Sequence, residues 1–167
     1  VQRSFEVEPS DTAFTLNTKC FEAAIQGFPE LVRVLETCAE SRKTQDLSAR
    51  RYFGMDHVAD AAGRLNFDLH AKQIVNTVLA LDHGTYWNPT TTAKLSAGGE
   101  VYIVVAAKVV EGAGRPGEIL EISQDGLRVA CADGAVLLSD FTDQNGQPVD
   151  LSTFVNVGDI LAPAKSA

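Results

Sequence analysis

The chain has 167 residues, of which 45% are hydrophobic, and this suits one globular domain or a small domain with part of another. Its net charge of −8 disfavours tight binding to a phosphate backbone, and no apolar run approaches the roughly 20 residues that span a bilayer. The acidity is concentrated from Ala97 onward, where there are ten Asp and Glu but only four Lys and Arg, so nucleic acid is least expected there.

The first forty residues predict a strand followed by two helices. Residues 3–7 alternate polar and apolar side chains, as a short strand does. Ser10 or Asp11 is expected to cap the first helix, and a catalytic acid is the second interpretation of Asp11. Gly27 and Pro29 predict a break before the second helix. The helices are expected to share an apolar face that needs a partner, formed by Phe14, Phe21, Ile25, Leu31 and Leu35.

Residues 40–66 are polar and charged, which predicts a long and mostly irregular connection across a surface. Its expected anchors are Tyr52, Phe53 and Met55. Arg50 and Arg51 form a small basic spot. The spot is either a solvated loop or a contact for an anionic group, such as the phosphate of a carrier arm or of a cofactor.

A third helix is predicted after Asp68, which is the expected cap, with Ile74, Val78 and Leu81 as its apolar stripe. The stretch "YWNPTTTAKL", residues 86–95, then places the only Trp of the chain beside a Pro. Trp87 either fills the join between the helix and the next strand, at least half buried, or belongs to a family signature.

From Glu100 the sequence predicts short strands that form a small barrel or sandwich. Hairpin turns are expected at Asp125-Gly126, Asp133-Gly134 and Asn145-Gly146. The stretch "GAGRPGEIL", residues 112–120, has the spacing G-x-G-x-x-G. Because a strand follows it, no helix N-terminus is available to hold a phosphate, and a Gly/Pro turn is the preferred interpretation.

No catalytic, cofactor-binding or metal-ligating residue is predicted from spacing. The cysteines at 20, 38 and 131 and the histidines at 57, 70 and 83 match no metal motif. We interpret the cysteines as reduced and mostly buried thiols of a cytoplasmic protein.

Several stretches resemble methionyl-tRNA formyltransferase-type proteins. Residues 108–161, with "RPGEILEISQDG" and the closing "VGDIL", resemble the C-terminal domain of that family. The stretch "RLNFDLHAKQIVNTVLALD" resembles the segment before that domain, and "DTAFTLNTKCFEAAIQGFPELVRVL" resembles the last helices of the formyltransferase domain. Tyr86, Asn88, Pro89 and Leu95 are similar to a "YxNP…L" turn of the formyltransferase-like domains that are fused to nonribosomal peptide synthetases. Phe53 after "DLSARRY" fits the same subgroup.

This resemblance implies an α+β fold, in which N-terminal helices end a Rossmann-like formyltransferase domain and an OB-like β-barrel follows. The implied boundaries are 1–41, a connecting segment with one helix over 42–96, and a barrel over 97–167. Trp87 is then a plug between helix and barrel. The family's catalytic Asn, His and Asp, with 10-formyltetrahydrofolate, are expected before Val1. The chain departs from the family at Leu79, where a basic residue is usual.

The first hypothesis is therefore the C-terminal portion of a 10-formyltetrahydrofolate-dependent formyltransferase that moves a formyl group to an amine. The chain alone is expected to be inactive, with its catalytic half or a second copy as partner. The second hypothesis is a docking module for a carrier protein or a neighbouring domain of a peptide synthetase. In it, Arg50, Arg51 and Trp87 are the partner-contact candidates. A third is a tRNA-binding accessory domain, which the acidic charge disfavours.

Overall fold

The computed structural model describes residues 1–39, 44–54, 60–86, 88 and 90–161. The chain divides into two compact units, residues 1–57 and residues 58–167. The first contains one long helix, and the second contains a shorter helix and a five-stranded sheet. The predicted α+β class with a small barrel-like sheet is thus confirmed.

Helix α1 spans Ala13–Glu36 without interruption, so the predicted break at Gly27 and Pro29 is wrong. A proline inside a helix removes one N–H donor and costs about 3 kcal/mol. Helix propagation is cooperative, and turns that form on both sides of one lost bond carry the helix through it. The apolar spacing also continues on both sides of Pro29, through Ile25 and Val32.

The cap of α1 is Thr12, one residue after the predicted Asp11. Thr12 Oγ1 accepts from Thr15 N at 3.2 Å, and Thr15 Oγ1 accepts from Thr12 N at 2.9 Å, so two free donors are satisfied reciprocally. Asp11 accepts instead from Glu8 N and from Lys19 Nζ. Lys19, and next the Glu8 N–H, lower the pKa of the Asp11 carboxyl. This keeps Asp11 ionised and disfavours its role as a catalytic acid.

Residues 3–7 have no regular secondary structure, so they do not form the predicted strand. Val1, Arg3 and Phe5 line a groove against α1, so the side chains do alternate as in a strand. Among the described residues, however, no backbone–backbone hydrogen bond involves residues 1–7. A β-ladder needs a neighbouring strand, and the described chain places none beside this segment.

The described part of the connection is mostly irregular, as predicted, but two of its three expected anchors are exposed. Tyr52 is 78% exposed and Phe53 is 70% exposed, whereas Met55 lies outside the described residues. The described part contains two short 3-10 segments, Leu47–Ala49 and Asp60–Gly63, and the Asp46 side chain caps the first of them.

The second unit contains one helix and an antiparallel sheet. The helix is α2, Ala71–Leu81. The strands are β1 Lys94–Ala97, β2 Glu100–Val110, β3 Ile119–Ser123, β4 Gly126–Cys131 and β5 Gly134–Thr142. The strand order is β1-β2-β5-β4-β3, and the sheet curls into a half-barrel. Asp125-Gly126 and Asp133-Gly134 lie at the two predicted hairpin turns, which join β3 to β4 and β4 to β5. Asn145-Gly146 lies in a turn after β5 that is closed by a bridge between Thr142 and Pro148.

Both outer edges of this sheet have further backbone partners. At β1, Leu65 N donates to Lys94 O at 2.8 Å. At β3, Ile119 N donates to Asp159 O at 2.9 Å, and Gly158 N donates to Ile119 O at 2.8 Å. Covered edges protect a small sheet from pairing with other chains.

The core lies between α2 and the concave side of the sheet, and the predicted stripe of α2 takes part in it. Ile74 and Val78 are buried, and Leu81 is partly buried against the same cluster. The other large side chains with less than 2% exposure are Ile119, Leu127, Val129, Val136, Leu138 and Leu151.

The glycine-rich stretch is a tight turn that packs on the sheet, in agreement with the predicted Gly/Pro turn. A Cβ on Gly112 would lie 2.7 Å from Ala135 Cβ, and a Cβ on Gly114 would lie 2.8 Å from Leu120 Cδ2. Gly117 has a φ of +84°, which only glycine adopts easily, and strand β3 follows directly. The spacing of these glycines therefore reflects close backbone packing.

Helix α2 begins after His70, so the predicted cap at Asp68 is wrong. The turn between β4 and β5 supplies the capping carboxylate, because Asp133 Oδ1 accepts from Ala71 N at 2.8 Å. Asp133 Oδ2 also lies 3.0 Å from His70 Nδ1. The Ala71 N–H, followed by His70, lowers the pKa of the Asp133 carboxyl. One side chain thereby joins a hairpin turn to the start of the helix.

We expect Gly112→Ala to lower the free energy of unfolding of the second unit by about 1–3 kcal/mol, as overpacking does. The added methyl group would overlap Ala135 and Leu120. Gly134→Ala is the matched control, since its Cβ would meet only Val110 O at 3.8 Å and its φ is not positive. Urea unfolding of both variants measures the difference, and equal midpoints would contradict the packing argument.

We expect Asp133→Asn to lower the melting temperature near pH 7 and to make the melting temperature less dependent on pH in the acidic range. The folded pKa of Asp133 is lowered, so its stabilisation is full above the unfolded pKa of about 3.9 and is lost as the pH falls through the folded value. The difference from the natural chain should therefore shrink as the pH falls from about 4 toward about 2.5.

Asp125→Asn is the control for this experiment, because it changes the matching Asp-Gly turn of β3 and β4, which caps no helix. Thermal melts of the three proteins from about pH 7 to about pH 2.5 cross the carboxylate pKa and provide the comparison. If the melting temperature of Asp133→Asn changes with pH in parallel with that of the natural chain, Asp133 does not stabilise α2 as a charged cap.

Candidate functional site

The predicted basic spot is exposed on the surface of the first unit. Arg50 and Arg51 follow the 3-10 turn, and the Arg50 guanidinium carbon lies 5.6 Å from the centre of the Tyr52 ring. That distance allows a cation–π contact. Within the described ranges, neither guanidinium is within ion-pair distance of a carboxylate. The geometry suits contact with an anionic partner.

Trp87 and Pro89 lie outside the described residues, so the predicted plug is not located. Asn88 between them is described. Its Nδ2 donates to the carbonyl oxygens of Leu81 and Thr91, and its Oδ1 accepts from Thr90 N at 2.8 Å. Asn88 therefore ties the end of α2 to the chain that leads into β1. Sequence reasoning singled out the Trp of this turn and did not assign this role to the Asn, although Asn is favoured in turns for such bonds.

A small apolar pocket lies between the end of α2 and strand β2. Its volume is about 250 Å³, and Leu81, Ala93 and Val104 are among its walls, with Asp82 and His83 beside them. Pockets that hold drug-sized ligands and cofactors have roughly 300–1,000 Å³. This pocket is therefore too small for a folate.

A larger groove of about 670 Å³ lies between the β3–β4 turn and the end of β5. Among the described residues, its walls include Asp125, Asp140 and Asp150 and no Lys or Arg. The whole second unit has thirteen Asp and Glu but only seven Lys and Arg. The groove therefore repels anionic ligands such as phosphates or the carboxylates of a folate tail.

His70, Asp133 and Cys131 lie near one another, as members of a nucleophilic site would. Cys131 Sγ lies 3.8 Å from Asp133 Oδ1. Burial, however, raises the pKa of the Cys131 thiol, and a protonated thiol is a poor nucleophile. Asp133 is already engaged as the cap of α2. The cluster is therefore structural, and it stabilises the start of the helix.

The other cysteines and the potential metal ligands add no reactive centre. Cys20 and Cys38 are exposed, so only Cys131 agrees with the predicted burial. Among the residues that the structure describes, no group of three or more His, Cys, Asp or Glu is arranged to hold a metal ion. None of the described helices is both long enough and apolar enough to cross a bilayer.

Comparison with known proteins identifies the second unit. Residues 58–158 match the family described as formyl transferase, C-terminal domain. The methionyl-tRNA formyltransferase of Pseudomonas fluorescens Pf-5 is 30% identical over 156 residues, which cover 92% of this chain and 46% of that protein. The enzyme of the same name from Pseudomonas entomophila is 40% identical over 70 residues, 42% of this chain and 23% of that protein. In its longer matches, the chain spans about half the length of the curated relatives.

A solved structure of HypX from Aquifex aeolicus in complex with tetrahydrofolic acid has the same fold. It aligns with a TM-score of 0.58 at 17% identity, over 85% of this chain and 24% of that one. At this identity the likeness concerns the fold alone. Because the family match covers more than half of the sequence, the chain belongs to the formyl transferase family, through that family's C-terminal domain.

Proposed function

We propose that the chain is the C-terminal portion of a cytoplasmic, 10-formyltetrahydrofolate-dependent formyltransferase and contributes no catalytic group of its own. The observation that carries this proposal is the match of residues 58–158 to the C-terminal domain of the family. Two facts support it: the relatives are formyltransferases, and the HypX structure of the same fold holds tetrahydrofolic acid.

In the proposed reaction an amine would attack the formyl carbon, and a His with a carboxylate partner would take the proton that the amine loses. The bond from the formyl carbon to N10 would then break, and N10 would take up a proton as tetrahydrofolate leaves. The described residues do not fit the cofactor. The apolar pocket is too small, the larger groove is acidic, and the His70–Asp133 pair caps α2. We therefore assign folate binding and proton transfer to the half of the family protein that this chain does not match.

A second candidate function is docking of a carrier protein in a peptide synthetase, and the geometry of Arg50 and Arg51 favours it. Carrier proteins present a phosphopantetheine phosphate, and a guanidinium binds a phosphate through paired hydrogen bonds. Tyr52, which the Arg50 guanidinium approaches, and Phe53 are exposed beside them. The stretch thus combines positive charge with apolar surface, as protein interfaces do.

A third candidate, binding of tRNA, is suggested by the names of the relatives, which are methionyl-tRNA formyltransferases. Binding to RNA draws most of its affinity from Lys and Arg contacts to phosphates. The acidic excess of the second unit opposes such contacts. A tRNA complex that weakens steeply with added salt would favour this candidate over carrier docking.

We expect the purified chain to show no formyl transfer from 10-formyltetrahydrofolate to an amine, because among the described residues the apolar pocket is too small for the folate, the larger groove is acidic, and the His70–Asp133 pair caps α2. The assay follows formylated amine by mass spectrometry and includes a no-protein control. Adding the catalytic portion of a formyltransferase relative provides the positive control. Turnover by the chain alone would refute the proposed division of labour.

We expect the double variant Arg50→Ala/Arg51→Ala to weaken binding of a phosphopantetheine-loaded carrier protein by about tenfold, which corresponds to about 1.4 kcal/mol. The same carrier without its phosphopantetheine arm tests the role of the phosphate. Arg115→Ala removes an exposed Arg from the second unit and is the matched control. Carrier binding that is equally strong in all three proteins would exclude Arg50 and Arg51 as the site that binds the carrier.

A further inference from the structure

We propose that Arg64, Lys94 and Ser96 form a binding site for the phosphate monoester group of a small molecule. The site lies on strand β1 of the second unit, where the chain at residues 64 and 65 pairs with the strand. It involves neither Arg50 nor Arg51, and it does not depend on the proposed formyl transfer.

Two positive charges lie side by side at this edge of the sheet. Arg64 is exposed and Lys94 is half-buried, and a backbone bridge joins the two residues. Lys94 and Ser96 share one face of β1, and Arg64 Nη1 reaches Ser96 Oγ on that face. Among the described residues, neither cation is within ion-pair distance of a carboxylate.

This arrangement is unfavourable unless an anion is present. Like charges that lie opposite each other on neighbouring strands repel, and the repulsion destabilises the pairing. The unit has thirteen Asp and Glu that could have supplied a counter-charge, yet no described carboxylate pairs with Arg64 or Lys94. An anion bound between the two side chains would remove the repulsion.

Both cations keep N–H donors for a ligand. The bond from Arg64 Nη1 to Ser96 Oγ is 3.4 Å long, beyond the usual range of about 2.7–3.2 Å, so the guanidinium remains largely unsaturated. Lys94 Nζ donates to Ala62 O at 3.1 Å and to Thr91 Oγ1 at 2.7 Å. Both acceptors are neutral, and an ammonium has three donors, so one donor and the full charge remain.

Protection of a sheet edge does not explain the pair. A Lys on an edge strand often prevents the strand from pairing with another chain. Here Leu65 N already donates to Lys94 O at 2.8 Å, so β1 has a partner on this side. The same segment brings Arg64 beside Lys94, which adds a charge at an edge that is already covered.

The turn before Arg64 holds the Lys94 ammonium in place. Ala61 and Ala62 have φ values of +48° and +55°, in the left-handed region that disfavours residues with a Cβ. Ala62 O accepts from both Lys94 Nζ and Thr91 Oγ1. Strained turns of this kind persist where their surroundings hold them, and they are frequent at ligand-binding sites. A fixed ammonium lowers the entropy cost of binding an anion.

A phosphate monoester matches the charge and geometry of the site. The guanidinium fork of Arg64 fits two phosphate oxygens, and Lys94 adds a second positive charge beside it. The Ser96 hydroxyl can donate its proton to a third oxygen. A monoester carries a charge of about −1.5 to −2 near pH 7, which the two cations balance. A polymer of phosphodiesters fits less well, because the acidic remainder of the unit repels its other phosphates.

The test is an NMR titration of the whole chain with methyl phosphate at constant ionic strength. Dimethyl phosphate and acetate, which each carry a single charge, are the comparison ligands. We expect saturable shifts of the Arg64 and Ser96 backbone amides with a dissociation constant of about 1 mM or below. The two comparison ligands should bind at least about tenfold more weakly.

Three variants test the residues, and the amide spectrum of each shows whether the unit stays folded. Arg64→Ala and Lys94→Gln should each weaken methyl phosphate binding at least about tenfold. The Gln amide still offers a donor to Ala62 O, so Lys94→Gln removes the charge with little change to the turn. Arg64→Lys keeps the charge without the fork and should lose about threefold. Arg115→Ala, the matched control, removes another exposed Arg of the unit and should change affinity less than about twofold.

Three results would overturn the proposal. The first is a titration that does not saturate. The second is equal affinity of the natural chain and of the folded variants at Arg64 and Lys94. The third is dimethyl phosphate binding as tightly as methyl phosphate, which would assign the two cations to a phosphodiester backbone such as that of RNA.

Discussion

The N–H and C=O groups of an extended backbone need hydrogen-bond partners, and this requirement separates the two units. In the second unit, the long β2–β5 ladder carries β1 on one side and β4 with β3 on the other. Irregular segments then pair with both outer strands, through Leu65 at β1 and Asp159 at β3. In the first unit, the described backbone of residues 1–7 has no such partner. The half-barrel is thus a sheet with both edges paired, whereas residues 1–7 belong to no sheet of the described chain.

The elements that were predicted correctly from the sequence are those that depend on residues close together in the chain. The turns at Asp125-Gly126 and Asp133-Gly134 require residues that tolerate tight backbone angles, and the pattern of α2 requires only helical spacing. The cap of α2 depends on a residue 62 positions away and has no local signature. The predicted strand at residues 3–7 fails for the same reason, since a ladder is a property of two segments. Pro29 shows the reverse case, in which a local signal is overridden because the helix continues on both sides.

The sequence predicted the candidate site only where the polar composition of a segment implies that its side chains are exposed to solvent. Arg50 and Arg51 lie in a polar connection and are exposed, as expected. The carboxylate of Asp133 appears in sequence only as a turn residue, yet in the structure it caps a helix and pairs with His70. Its role arises from tertiary contact, which sequence spacing does not encode. The same contact explains why a His and a carboxylate come together here without catalytic purpose.

Surface charge, rather than fold, separates the candidate partners. The fold is similar to that of HypX, and the sequence is similar to enzymes that are named for tRNA, so neither likeness selects an acceptor. The backbone explains why one of the groove carboxylates is an Asp. Asp140 lies between the buried Leu138 and Phe141 and has a φ of +56°. This is a left-handed conformation that Asp tolerates better than most residues do. The curl of β5 therefore accommodates an acidic residue at that position. Its negative charge adds to those of Asp125 and Asp150. The combined negative potential disfavours the binding of a polyanion at this end of the barrel, whichever function the barrel has.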